Sequence, residues 1–264
     1  MTFEELRKIE NEAERVNRTY DIFNEDKRLN RGNSSRVEFL TTVHYIEKYL
    51  NPGDKMLDVG AGAGQYSIYF ARKGYGVSAI ELADSNISAF RAKLTEADDI
   101  DLVQGNALDL SRYADESFDA VLLFGPLYHL ENRADRLRAI SEAKRVCKKD
   151  GKIFFAFISN DFIILTELSY NPNYFSSGDY DKETFRLTDF PFVFHTVDAC
   201  RELLADAGVT VECEIAADTV AELMQEKIDA LSDADFAQFM RYHLYICEKK
   251  EFLGMTNHLL FVGR

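Results

Sequence analysis

Met56-Leu57-Asp58-Val59-Gly60-Ala61-Gly62-Ala63-Gly64-Gln65-Tyr66 is the stretch whose reading decides the fold. An apolar run closes on an acid, breaks into alternating glycines and re-opens as an amphipathic segment. A buried strand that enters a tight turn and then a helix reads this way. Glycines in such a turn let backbone approach a ligand, because no Cβ stands between them. A second apolar run, Val77-Ser78-Ala79-Ile80, ends at Glu81. A carboxylate at that position, about 20 residues past the turn, can accept hydrogen bonds from both hydroxyls of a ribose. The pair predicts a pocket for a ligand that carries adenosine.

Outward from this unit the pattern alternates. The spacing predicts strands at Lys55–Gly60, Gly76–Glu81, Leu102-Val103, Phe118–Phe124, Lys152–Ser159, Val209–Ile215 and Asn257–Val262. Helices are predicted at Gln65–Lys73, from Asp84-Ser85, at Glu131–Cys147 after which Asp150-Gly151 turns, at Val197–Ala207 behind a Thr196 cap, and over about 218–249. Strands and helices in alternation give a parallel sheet covered on both faces. Before the first strand, residues 2–18 read as a helix, with Thr2 and Glu5 as a capping box and Leu6, Ile9, Ala13 and Val16 on one face. A second helix is predicted over 36–50, stopped by Pro52-Gly53. Residues 160–195 lack periodicity and are rich in aromatics, among them Tyr170, Tyr174, Phe175, Tyr180, Phe185, Phe190, Phe192 and Phe194. They suit either an acceptor pocket for an apolar molecule or core filling and an oligomer contact.

The chain of 264 residues is 46% hydrophobic, enough for one substantial core. Its formal net charge of −14 repels phosphate backbones and anionic membrane faces, so neither nucleic acid nor membrane is an expected partner. Cys147, Cys200, Cys213 and Cys247 form no C-x-x-C pair, and the five histidines have no metal-like spacing. Reduced thiols and no metal site are the expectation. A charged start without an apolar h-region, and no apolar run of about 20 residues, predict a cytoplasmic protein.

The spacing Gly60-x-Gly62-x-Gly64 differs from the G-x-G-x-x-G that faces a pyrophosphate, and it resembles motif I of the class I S-adenosylmethionine-dependent methyltransferases. Further segments resemble that family in order. Glu81 matches its ribose-binding acid, and Gly105-Asn106-Ala107-Leu108 the segment after its third strand. Phe118 to Phe124 followed by Gly125-Pro126-Leu127-Tyr128-His129-Leu130 matches its fourth strand and loop. That loop string, with Asn257-His258-Leu259-Leu260-Phe261-Val262 near the end, is similar to a subgroup of small bacterial members. The resemblance covers the chain from about Tyr20 onward.

The resemblance implies a three-layer, Rossmann-like α/β fold. Its seven-stranded, mostly parallel sheet has an antiparallel last strand. A single domain spans 1–264, with a helical cap at 1–52 and insertions at 160–195 and 217–254 over the acceptor side. It implies S-adenosyl-L-methionine as cofactor, S-adenosyl-L-homocysteine as product, and a small-molecule acceptor, in a monomer or homodimer. The residues it points to for the cofactor are Asp58, Gly60, Ala61, Gly62, Gly64, Tyr66, Glu81, Leu82, Asn106, Ala107, Leu108, Phe124, Gly125 and Leu127. Tyr20, Phe23, Arg31 and Arg36 lie where related enzymes place a lid, and Tyr20 and Arg36 are expected at the cofactor. Asn106 stands either against adenine or as a turn residue. His129 and Tyr128 are the candidate catalytic residues. His129 is suited to accept a proton, or else only hydrogen-bonds at a loop-to-helix junction. His195, just before the Thr196 cap, is a further candidate or a structural histidine. Two other readings stay open: an NAD(P)-dependent oxidoreductase and a non-catalytic protein that binds an adenosyl cofactor.

Overall fold

The computed structural model describes residues 3–22 and 31–264. Its eight strands are β1 (Lys55–Val59), β2 (Gly76–Glu81), β3 (Ile100–Gln104), β4 (Phe118–Leu123), β5 (Cys147–Ser159), β6 (Phe194–His195), β7 (Val211–Ala216) and β8 (His258–Gly263). Their order across the sheet is β3-β2-β1-β4-β5-β8-β7, with the two-residue β6 beside the end of β5. β8 pairs antiparallel with both β5 and β7, and the other pairs are parallel. Seven strands therefore run as the sequence predicts, and β6 is added.

Alternation along the strands explains the three layers. Leu57, Val121, Leu123, Phe155 and Phe261 face one side, where Ile140, Ala143 and Val146 of helix Arg133–Val146 and Leu203 of helix Val197–Asp206 cover them. Met56, Leu122, Phe154, Leu260 and Val262 face the other side, under Phe39, Val43 and Ile46 of helix Asn33–Tyr49 and Phe70 of helix Gln65–Arg72. Adjacent residues go to opposite faces because the strand period is two. Both faces are apolar because both are covered.

After β3 the chain crosses back past β2 and β1 to start β4. Here the strand order reverses, and ligands of open α/β sheets bind outside the carboxyl ends of the strands at this point. The glycine turn follows β1 and the Gly125–Leu130 loop follows β4, so both meet there.

The structure corrects several boundaries. The N-terminal helix is two pieces, Phe3–Leu6 and Glu12–Ile22, and the expected Thr2 cap and Phe23 lie outside the described residues. The turn expected at Asp150-Gly151 lies inside β5, where the pairing with β4 shifts register. The helical stretch over 218–249 is broken into Gln225–Asp229 and Asp233–Ile246. The 160–195 segment contains an unforeseen helix, Asn160–Tyr170, capped by the Ser159 hydroxyl. Thr196 caps its helix as expected, accepting from the Ala199 amide at 3.1 Å.

Candidate active site

A cavity opens at the switch point between β1 and β4. Gly60 floors it, Glu81 and Leu82 wall it at the end of β2, and Asn106 and Ala107 wall it after β3. Gly125, Pro126, His129 and Leu130 close the β4 side. Helix Glu12–Ile22 roofs it with Glu12, Ala13, Val16 and Tyr20.

The glycines of the turn serve mainly to bring protein against protein. A Cβ on Gly60 would lie 2.3 Å from the Phe124 carbonyl and 2.8 Å from Pro126, and its φ is +80°. A Cβ on Gly64, also at φ +80°, would strike the Phe90 ring at 2.3 Å. The β1 turn can touch the β4 loop only because Gly60 lacks a side chain, and it can seat the Phe90 ring of helix Asp84–Lys93 only because Gly64 does.

The amides of this turn are largely turned inward. Those of Gly60 and Ala61 donate to the Ile80 carbonyl at 2.8 and 3.0 Å, and that of Gly64 to the Ala61 carbonyl at 2.9 Å. The Gly62 amide donates to Glu81 Oε2 at 2.7 Å. A pyrophosphate cradle needs such amides pointing at the ligand, so the turn fits a nicotinamide dinucleotide poorly. It fits a cofactor without phosphate.

Glu81 is buried and fixed from three sides. Besides Gly62, the Ala83 amide donates to Oε1 at 2.8 Å and Asn86 Nδ2 at 3.3 Å. Burial pushes its carboxyl above the ordinary range, against the pull of these donors. With two oxygens and about four acceptor directions, it keeps capacity for a ligand's hydroxyls. Asp58 lies behind the turn, fully buried. Its Oδ2 accepts from the Ser67 hydroxyl at 2.6 Å, while Oδ1 has no partner among the described residues. Burial raises its pKa to about 7. An orphaned buried carboxylate oxygen is a site of demand for a donor, but Asp58, like Gly62 and Gly64, is not among the residues that line the cavity.

His129 is buried, and Tyr20 reaches it from the roof helix: the hydroxyl lies 2.7 Å from Nε2. Its Nδ1 has no partner among the described residues. Burial lowers its pKa to about 4, so the ring is neutral at pH 7. The Phe192 and Tyr128 rings pack on it with centroids 5.2 Å away. His195 is likewise buried, with its pKa lowered to about 3 and its ring against Phe157.

The expected residues therefore divide. Tyr20, Gly60, Glu81, Leu82, Asn106, Ala107, Gly125 and His129 converge on the cavity. Ala61, Tyr66, Phe124 and Leu127 are core residues behind it; Tyr66, for example, packs on Phe124 and Phe39. Asn106 at the cavity also holds its own turn, its Oδ1 accepting from the Leu108 amide at 3.0 Å, and Leu108 packs on the core. Arg36 is not brought to the cavity: it donates to Asn33 Oδ1 at 3.3 Å and lies over the Phe236 ring. Helix Asn33–Tyr49 directs that side chain to the 225–246 region instead. The roof residues Glu12, Ala13 and Val16 were missed as site residues. Their signal, an apolar helical face, reads equally as core.

The aromatic insertion fills a core of its own. Tyr174, Tyr180 and Leu187 pack with Ile164, and the Tyr174–Tyr180 and Tyr180–Phe185 rings stack. Phe192 alone of that group reaches the His129 ring. Among the described residues, Glu38, Asp218 and His258 also bring three metal-ligating atoms within 4.8 Å of one another, a grouping their sequence spacing hides.

A family model described as a methyltransferase domain matches residues 57–155. The chain is 30% identical over 158 residues to a ubiquinone biosynthesis O-methyltransferase of Hahella chejuensis, covering 60% of this chain and 62% of that protein. It is 36% identical over 110 residues to a demethylmenaquinone methyltransferase of Renibacterium salmoninarum, covering 41% and 43%. The chain spans about half the length of such curated relatives. The crystal structure of PH0226 protein from Pyrococcus horikoshii superposes with a TM-score of 0.60 at 19% identity, over 94% of this chain and 98% of that one. The stretch from the end of β1 into β5 thus matches a methyltransferase domain, and the sheet has the Rossmann-like order of methyltransferase folds.

Proposed function

We propose that the protein transfers a methyl group from S-adenosyl-L-methionine to a small molecule. The observation that carries this reading is the cavity where Glu81, held by the Gly62 amide, faces Asn106 and Gly125 under the Tyr20 helix. In it Glu81 would receive the ribose hydroxyls and the Gly105–Ala107 segment would flank the adenine. When bound, the cofactor supplies a methyl group already activated by a sulfonium. The chain's task is then to align the acceptor and exclude water. The roof helix excludes water: Arg15 pairs with Glu131 at 2.8 Å and the Glu131 amide donates to Glu12 at 2.7 Å, tying roof to loop.

His129, neutral and buried at the β4 loop, would border the reacting groups, and the 160–195 and 217–254 segments would cover the acceptor side of a single domain. The net charge of −14 supports a non-nucleic-acid acceptor. Among the described residues no helix is long and apolar enough to cross a membrane. Mass spectrometry of a metabolite extract incubated with the protein and deuteromethyl-labelled cofactor tests the proposal. A labelled small molecule together with S-adenosylhomocysteine supports it; label only on protein or nucleic acid contradicts it.

A further inference from the structure

The titratable side chains that line the cavity under the roof helix are Glu12 and Tyr20 of helix Glu12–Ile22, Glu81 at the end of β2 and His129 of the β4 loop. Among the described residues no lysine or arginine lines it, so its formal charges are both carboxylates. They stand at different ends. Glu81 ends β2, while the Glu131 amide, two residues past His129, donates to Glu12 Oε1 at 2.7 Å and fixes that carboxylate beside the β4 loop. The neighbouring Glu131 side chain is itself paired with Arg15 at 2.8 Å.

His129 is where a proton acceptor would be sought, and its surroundings do not suit the task. A histidine that collects a substrate proton is typically backed by a carboxylate that stabilises the imidazolium. Here the groups on the ring are the Tyr20 hydroxyl, 2.7 Å from Nε2, and the Tyr20, Tyr128 and Phe192 rings at centroid distances of 5.3, 5.2 and 5.2 Å. Nδ1 has no partner among the described residues, so no carboxylate is hydrogen-bonded to it. Burial holds the ring's pKa down at about 4. A sulfonium in the same cavity would oppose an imidazolium further. Carboxylates are weaker bases still, about 6 pKa units short of an alkylammonium or a phenol. A nucleophile that enters carrying a proton therefore finds no group in the cavity suited to take it.

An anionic nucleophile fares no better, because Glu12 and Glu81 repel it and no described cation of the wall holds it. What suits the cavity is a neutral nucleophile whose lone pair is unprotonated at pH 7 and which has no proton to lose. The wall shared by the roof helix and the β4 loop is apolar or aromatic, with Val16, the Tyr20 ring, Pro126 and Leu130. That surface takes a flat ring. We propose that the acceptor is a planar heteroaromatic molecule with a pyridine-type ring nitrogen, bound in this cavity between the roof helix and the β4 loop, and that Glu12 and the Tyr20 ring stabilise the ring cation formed on methylation. This rests on the methyl-transfer reading above and names its acceptor. In the step, the lone pair of the ring nitrogen forms the N–CH₃ bond as the S–CH₃ bond of the bound cofactor breaks, its electron pair staying on sulfur as a neutral thioether. The positive charge passes from sulfur to the ring nitrogen, and no proton is released. The charge stays throughout in a cavity walled by carboxylates and an aromatic ring, which favour a cation.

Three measurements on the full chain test it. The first needs no acceptor: ring NMR of His129 in the S-adenosylhomocysteine complex should show the neutral form from about pH 8 down to about pH 5.5, and a ring that titrates above about pH 6 would overturn the exclusion of a proton acceptor. The second is calorimetry with S-adenosylhomocysteine present. N-methylquinolinium, a product-like cation, should bind at least about tenfold more tightly than naphthalene or 2-naphthoate, and Glu12→Gln should remove about tenfold of that affinity while leaving naphthalene, the control for the variant's fold, as in wild type. Equal binding of the three probes, or preference for the carboxylate, overturns the inference. The third offers the protein and cofactor a pool of pyridine, quinoline and isoquinoline and a matched pool of phenols, carboxylic acids and primary amines. An N-methylated ring cation is expected, with no proton released per methyl transferred in a weakly buffered indicator assay. Methylation confined to the second pool, or no heteroaromatic methylated by a protein that binds S-adenosylhomocysteine, overturns the inference alone. Failure to bind S-adenosylhomocysteine overturns the underlying reading.

Discussion

The Gly62 amide donates to Glu81 Oε2 at 2.7 Å, so the glycine turn after β1 and the acid that ends β2 are one structural unit. The acid shapes the turn while it walls the cavity, and the two halves of the motif cannot vary independently. Glu81→Ala removes the acceptor of the Gly62 and Ala83 amides and of Asn86. Buried donors left unsatisfied cost about 1–3 kcal/mol each in the worst case. The variant should lose about 2 kcal/mol of stability in urea titration and at least about 30-fold in S-adenosylhomocysteine affinity by calorimetry.

Gly60→Ala and Gly64→Ala should be far worse than a similar change at Gly53. All three have positive φ, but a Cβ at Gly53 meets nothing within 4 Å, whereas at Gly60 it meets the Phe124 carbonyl and at Gly64 the Phe90 ring, both at 2.3 Å. Gly53→Ala should cost only the left-handed strain, about 1–2 kcal/mol. The other two add a steric clash and should exceed about 3 kcal/mol, or fail to fold. Equilibrium denaturation of the three variants checks the ranking, and equal costs would show that the close packing of the turn on Phe124 and Phe90 is unimportant.

Tyr20→Phe deletes the hydroxyl 2.7 Å from buried His129 Nε2. The expected cost is about 1–2 kcal/mol, from a buried ring nitrogen left without its partner. Because the contact ties the roof helix to the β4 loop, amide exchange in Glu12–Ile22 should speed up in the variant and slow again when S-adenosylhomocysteine is bound. Exchange unchanged by either would separate the helix from the site.

The pH dependence of stability has two opposed parts. His129, His195 and His243 are buried with pKa values lowered to about 4, 3 and 4 from 6.5. As pH falls below 6.5 the unfolded chain takes up protons that the folded chain refuses, so stability should drop progressively toward pH 4. Asp58 acts the other way. Its pKa is raised from 3.8 to about 7, so the folded state holds the extra proton and stability is lost as pH rises through that window. Asp58→Asn should therefore be more stable than wild type at pH 8 in the ligand-free protein, with the advantage shrinking toward pH 4. Parallel melting temperatures across that range would exclude the assigned burial of Asp58.

Much of this was legible in the sequence because strand period and turn chemistry are local. Met56 and Leu57, or Phe154 and Phe155, alternate between the two covered faces, and Glu81 follows the glycine turn at a spacing set by one strand–helix–strand unit. What escaped was set by tertiary contact. Arg36 sits on a predicted helix, but which way that helix turns its side depends on Phe236, 200 positions later. Asp218, just past β7, and His258, at the start of β8, meet although they are 40 positions apart, and Glu38 joins them from the far end of the chain. No spacing rule links such residues. Asn160–Tyr170 is apolar over most of its surface because the insertion packs around it, so its helical period is blurred.

The most direct test of the account is calorimetric titration of the purified chain with S-adenosylhomocysteine and, separately, with NAD⁺. The cavity built by Glu81, Asn106 and Gly125, and a turn whose amides point inward, predict one-to-one binding of S-adenosylhomocysteine at about micromolar Kd or tighter, and none of NAD⁺ at millimolar concentration. Binding of NAD⁺ with comparable affinity, or no binding of S-adenosylhomocysteine at millimolar concentration, would contradict it.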